Sequence, residues 1–230
     1  MTKKRIWLII TGTPLILITY ITGLTMDVPQ LPVLKESIRN VFFHSSIWFA
    51  LLALIAVNTF YSVRLIKTEK LTDFHYVIPA FESSLYLMVV VSIAGILTGS
   101  VWARFTWGSF WTSDPKLNGI AYSFILYLIV LLIYRSDNTI HFRKISGMLS
   151  LLANLVFIVA VIILPRFTES LHPGTSGSPA FFGFSLDNKL RIVFYPAAVG
   201  WILVSLYLWS ILTHYKLIKN KINNHTTKNS

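Results

Sequence analysis

The chain has 230 residues, 54% of them apolar and only 13% charged, with a formal net charge of +11. Soluble domains carry about 25% charged residues, so this composition excludes an ordinary aqueous globule and points to the membrane. The absence of cysteine excludes disulfides, thiolate ligands, thiol redox chemistry and thioether attachment of a prosthetic group to this chain.

Six apolar runs, at residues 6–24, 41–63, 77–101, 117–134, 145–165 and 190–213, each approach the ~20 residues that cross a hydrocarbon core as a helix. In lipid every backbone amide must be bonded within the protein, so these runs are predicted to be helices. The fold class expected is all-α, a polytopic helical membrane protein with about six transmembrane helices forming one domain over 1–230. The first run has the basic start and apolar middle of a signal peptide. It exceeds the ~7–15 residues of a signal core and has no small-x-small site before Pro29, which predicts an uncleaved span. With the N-terminus inside, 13 of the 20 Lys and Arg fall on inner segments and 7 on outer ones. That bias predicts both termini in the cytoplasm and makes the basic tail, 214–230, a topology signal rather than a nucleic-acid patch. The tail is expected to be disordered.

Three outer loops follow from this topology, at 25–40, 102–116 and 166–189. The first precedes His44, in the opening turn of the second span. The second contains Trp102, Trp107 and Trp111, three of the seven tryptophans, closed by Asp114 and Lys116. Membrane proteins usually scatter tryptophans along both interfaces, so this concentration predicts an aromatic platform with charge at its edge, suited to a large planar amphiphile. The third contains Leu171-His-Pro-Gly-Thr-Ser-Gly-Ser-Pro179, whose prolines and glycines favour turns.

His44 and His172 are the two histidines on the predicted outer side. Neutral imidazoles are common haem-iron ligands, and two can fill both axial positions. Taken singly, His44 suits an interfacial histidine and His172 a solvated loop residue. Their pairing with the tryptophan loop is what points to a porphyrin. Arg39 and Lys116 either pair with carboxylates such as haem propionates or mark helix ends near the headgroups. Asp114 either orients a histidine or caps the fourth span ahead of Pro115, and capping accounts for the carboxylate taken alone. Glu82 is costly in lipid and a candidate for function, or else snorkels to the nearby inner interface. Gly95-x-x-x-Gly99, Asn58 and Asn154 are expected to serve helix packing.

Trp107-Gly-Ser-Phe-Trp-Thr-Ser-Asp-Pro-Lys-Leu117 resembles the tryptophan-rich WWD signature of the CcmC/CcsA haem-handling family, and the CcmC type in particular. Arg-x4-His at Arg39–His44, Leu-His-x-Gly-Thr at Leu171–Thr175 and six spans agree with it. Phe110-Trp111 stands where that signature has paired tryptophans, Ser113 where it has another, and Lys116 where arginine is common. CcsA-type proteins are longer, with extra spans. The resemblance implies haem b held at the periplasmic face of the bacterial inner membrane, with His44 and His172 as axial ligands. It also implies a platform of Trp107, Gly108, Trp111 and Asp114, and basic contacts at Arg39 and Lys116. The implied partners are the periplasmic haem chaperone CcmE, the small subunit CcmD and the CcmA–CcmB transporter, besides membrane lipid. On that basis the chain presents haem rather than acting as a self-contained enzyme. A rival transporter needs midplane polar groups and an inner site, such as His75 with Glu82. An electron-transfer subunit needs intramembrane ligands, which the spans lack.

Overall fold

The computed structural model describes residues 5–29, 34–69, 71–168, 170–172 and 187–229, with the side chains of 71–73 and 224–229 left aside. Six helices are long and apolar enough to cross a membrane, and no strand occurs among the described residues. The chain is a polytopic helical membrane protein. The helices are α1 (Ile6–Thr25), α2 (Ser46–Lys67), α3 (Leu71–Trp107), α4 (Pro115–Ser136), α5 (Ile140–Phe157) and α6 (Asn188–Asn229). α2 is entered through a 3-10 turn, Lys35–Arg39, and a π-helical turn, Val41–Ser45. α5 leaves through a π turn, Ile158–Ile163, and a 3-10 turn, Leu164–Arg166.

α2 lies at the centre, against α3, α5 and α6, whereas α1 packs chiefly on α6. The core joins Leu51 and Leu54 of α2 to Phe81, Leu85 and Met88 of α3, Tyr127 of α4, Phe157 of α5 and Trp209 of α6. Leu17, Ile18, Leu97, Leu132 and Leu155 remain exposed on the outside, as helices facing hydrocarbon require. Polar side chains join the helices inside. Asn58 of α2, fully buried, donates to Ser84 Oγ of α3 at 3.0 Å and accepts from Ser150 Oγ and Asn154 Nδ2 of α5 at 2.6 and 3.1 Å. The packing role expected of Asn58 and Asn154 takes this form.

Opposite ends of the bundle are marked by different contacts. At one, Arg5 donates to Ser210 at 2.8 Å and Lys216 of α6 pairs with Glu82 of α3 at 2.5 Å. Glu82 is therefore a paired carboxylate. His75 lines a separate cleft there with Phe74, Ile78, Pro79, Asn220 and Asn223, so His75 and Glu82 do not share one cleft lining. At the other end, Ser37 approaches Thr106 and Asp114 approaches Ser170, which gathers the segments predicted as outer loops.

Two elements differ from the sequence expectation. α3 runs on to Trp107, so Trp102 and Trp107 stand on helical turns and the loop proper begins at Gly108. Helix dipoles and backbone bonds do not stop at the hydrocarbon boundary, and no Gly or Pro intervenes before Gly108. The tail expected to be disordered continues α6 to Asn229. It holds no helix-breaking residue after Gly200, and the Lys216–Glu82 pair ties its start to α3.

Candidate functional site

α3 ends because Gly108 adopts a left-handed conformation, φ +78°, where a Cβ-bearing residue is disfavoured. Its amide bonds back to the Arg104 carbonyl at 3.1 Å, and the Arg104 guanidinium reaches the Gly108 carbonyl and covers the Phe110 ring. The chain then crosses to Asp114, the N-cap of α4, with Pro115 as the first helical residue.

Asp114 is 3% exposed and accepts five hydrogen bonds. Oδ1 takes the backbone amides of Lys116 (2.9 Å) and Leu117 (3.3 Å) and Nδ1 of His172 (3.0 Å); Oδ2 takes Ser170 Oγ and the Leu171 amide, both at 2.7 Å. Burial alone would push its carboxyl up, but the bonds from His172, Ser170 and Leu171 outweigh that and hold it well below the usual carboxylate range. The carboxylate thus does both jobs that its position allowed: it caps α4 and it orients His172. Burial lowers the pKa of the His172 imidazole, with the bond to Asp114 opposing in part. The contact is a neutral imidazole donating to a carboxylate. Because an ionised carboxylate only accepts, the proton sits on Nδ1 and the lone pair on Nε2.

His44 belongs to the π turn that leads into α2 and is 8% exposed. π turns recur at functional sites because they re-aim one side chain within a helix. Nδ1 lies 3.0 Å from Thr98 Oγ1, and the Trp48 indole donates to Nε2 at 3.2 Å. The Trp102 ring meets His44 edge-on at 5.6 Å between centroids, and Trp102 Nε1 bonds Ser37 Oγ at 3.2 Å. Trp107 meets His172 the same way at 5.1 Å.

These residues surround one cleft of about 420 Å³. His44, His172, Trp48, Trp102, Trp107 and Trp111 line it, together with Gly95 and Gly99. Lys116 is close enough to act electrostatically on both imidazoles. Two imidazoles between indole walls, with a cation at hand for carboxylates, match the donor chemistry that a porphyrin iron needs.

Of the positions singled out by sequence, His44, His172, Trp107 and Trp111 line the cleft, Asp114 supports it, and Gly108 shapes the turn beside it. Arg39 stands apart. Its guanidinium donates to the Gly23 and Met26 carbonyls at the end of α1 and pairs with Glu36. Gly174 and Thr175 of the Leu171–Thr175 motif, and Pro32 of the first loop, lie outside the described residues.

Sequence reasoning missed Trp48 and Thr98, while the helix packing expected of Gly95 and Gly99 takes the form of a close seat for two rings from the α2 side. A Cβ on Gly99 would sit 2.6 Å from His44 Cε1, and one on Gly95 2.6 Å from Trp48 Cζ2. The glycine pair is a slot for two rings, four residues apart like the rings themselves. Gly99→Ala is expected to force His44 off Thr98 at a cost of about 1–3 kcal/mol, typical of overpacking. Thermal unfolding in detergent reads this, and an unchanged midpoint would contradict it.

No family model matches the chain. It is similar to "Heme exporter protein C" of Paracoccus denitrificans, 23% identical over 172 residues that cover 74% of this chain and 71% of that protein. A protein of the same name from Haemophilus influenzae is 28% identical over 53% of the chain and 48% of its own length. The chain is CcmC-like. It is also 26% identical to "Cytochrome c biogenesis protein CcsA" of Cuscuta reflexa, over 44% of the chain and 30% of that protein. The Haemophilus and Cuscuta matches thus span less than half of those relatives' length.

Proposed function

We propose that this protein handles haem for c-type cytochrome biogenesis. In this reading it binds haem b at the outer face of the inner membrane through His44 and His172 and hands it to a periplasmic haem chaperone of the CcmE type. A CcmD-type subunit and a CcmA–CcmB-type transporter are the expected partners. The observation that carries the reading is the placement of two imidazoles, from segments 128 residues apart, on one indole-lined cleft. The similarity to proteins named for haem export and cytochrome c biogenesis supports it.

The residues divide the work. Asp114 orients His172 and raises the basicity of its Nε2, as carboxylates behind metal-bound histidines do. Trp102 and Trp107 hold the two rings edge-on and keep the cleft apolar, which strengthens charge interactions inside it. Lys116 supplies positive charge for a propionate. Bound haem contributes the iron that both imidazoles ligate. Delivery would be ligand exchange at an exposed edge: His44 and His172 would hold the haem while one face or edge stays accessible to the chaperone.

Protein purified with haem is expected to show the visible spectrum of low-spin iron with two nitrogen axial ligands. A high-spin, five-coordinate spectrum, or no retained haem, would remove the basis of the proposal.

A further inference from the structure

The two imidazoles are held differently. Thr98 Oγ1 donates its single proton to the α3 backbone, with Ala94 O at 2.8 Å and Gly95 O at 3.2 Å. Toward His44 Nδ1, 3.0 Å away, it therefore presents a lone pair, which places the imidazole proton on Nδ1. The indole of Trp48 is a donor only, so the 3.2 Å contact from its Nε1 to His44 Nε2 independently requires the lone pair on Nε2. Two neighbours thus agree on one tautomer. They also show that the nitrogen available to a metal is already engaged by an indole N–H.

From this we infer that Trp48 is a displaceable cap on the iron-binding nitrogen of His44, and Thr98 the residue that fixes its tautomer, so that the His44 side of the site is the exchangeable one. The inference rests on the haem reading above. Trp48 lines the cleft itself, and its ring is seated against Gly95 and beside Phe157, 6.3 Å away between centroids. A small tilt in that slot suffices to lengthen an N–H···N bond. When haem binds, the Nε2 pair passes from the indole proton to iron; on release it returns to the indole proton. No proton leaves the site and no redox change is needed. The backing group of His172 is a carboxylate, which strengthens Nε2 as a donor more than the neutral Thr98 oxygen strengthens that of His44. His44, and not His172, is therefore expected to be the side released on delivery, with Trp48 closing over the vacated nitrogen.

The cap has a measurable signature in the full chain. In haem-free wild-type protein with 15N-labelled histidine, His44 is expected to show an Nδ1–H tautomer with a hydrogen-bonded, unprotonated Nε2. Trp48→Phe keeps an aromatic ring but loses the donor, and the Nε2 resonance should then move toward the value of a non-bonded nitrogen. In haem titrations followed by absorbance, Trp48→Phe should bind about two- to tenfold more tightly than wild type, the range set by the net worth of one hydrogen bond. Thr98→Val should bind more weakly, and Thr98→Ser should restore wild-type affinity. A proton found on Nε2 of His44 in the wild-type protein, or equal or weaker haem binding by a folded Trp48→Phe variant, would overturn the cap while leaving the haem reading intact. If His44→Ala binds haem as the wild type does, the haem reading fails and the cap with it.

Discussion

Alanine at both His44 and His172 is expected to lower haem affinity by more than about 100-fold, while Asp114→Asn lowers it by about 10- to 100-fold with both imidazoles still present. The gradation follows from the bonding. The double variant removes both nitrogen pairs that line the cleft. Asp114→Asn keeps the side-chain shape and one carbonyl oxygen, which can still accept from the Lys116 and Leu117 amides. It replaces Oδ2 by an amide NH₂ facing Ser170 Oγ and the Leu171 amide, both of which donate to the carboxylate in the native protein. His172 Nδ1 keeps an oxygen to donate to but loses the charge behind it, and the clash at Ser170 and the Leu171 amide loosens the segment that carries the ring. Asp114→Ala also loses the cap of α4, worth about 0.5–2 kcal/mol, so it should lower the unfolding midpoint as well. Absorbance titration of the purified variants reads affinity, and circular dichroism confirms that each is folded. Equal affinity for Asp114→Asn and wild type would mean that the carboxylate only caps the helix. Undiminished binding by the double histidine variant would end the case for haem ligation here.

Why Asp114 could not be assigned from sequence is instructive. N-cap chemistry is local, legible from Asp114-Pro115 ahead of an apolar run. The bond to His172 is closed by 58 residues of chain and leaves no periodic trace. The six spans, by contrast, were legible to within a few residues because hydropathy is summed over a whole turn-rich segment and lipid enforces helix throughout. Their ends were less so. Trp102 and Trp107 looked like loop residues because aromatic and polar types mark an interface, yet the helix persists until Gly108 gives it a left-handed exit.

Trp48 and Thr98, and the identity of the rings that Gly95 and Gly99 admit, were hidden for a related reason. Their contacts run between α2 and α3, and only the matched four-residue spacings, His44 to Trp48 and Gly95 to Gly99, hint at two rings stacked along one groove. Arg39 had two readings, a carboxylate partner or a helix-end role, and its contacts fit the second. A cation near a candidate ligand suggested an anion partner, but the last carbonyls of a helix are themselves partial negative charges. The guanidinium satisfies the end of α1 instead.

Asn58→Ala is expected to destabilise the bundle by about 2–3 kcal/mol, the sum of a few buried interhelical bonds at ~0.6–1.7 kcal/mol each in membrane proteins. The side chain joins three helices at once, to Ser84 on one side and to Ser150 and Asn154 on the other. The losses are unequal. Ser84 Oγ already donates to the Phe81 carbonyl at 2.7 Å, so it forfeits only a donor's approach. Asn154 Nδ2 keeps Thr59 Oγ1 at 3.0 Å. Ser150, whose 2.6 Å bond to Asn58 Oδ1 is the shortest of the set, must turn back to its own helix backbone. Adding Ser150→Ala to Asn58→Ala should therefore cost less than the two single changes summed, a coupling of the kind that contacting residues show. Denaturant unfolding in micelles measures all three variants. None of these side chains lines the cleft between His44 and His172, so the haem spectrum of Asn58→Ala should match the wild type at temperatures where the variant is folded. Strict additivity would show that Asn58 and Ser150 act independently. A shifted haem spectrum in the folded Asn58→Ala protein would instead make the polar cluster part of the path that haem takes, in keeping with a transporter.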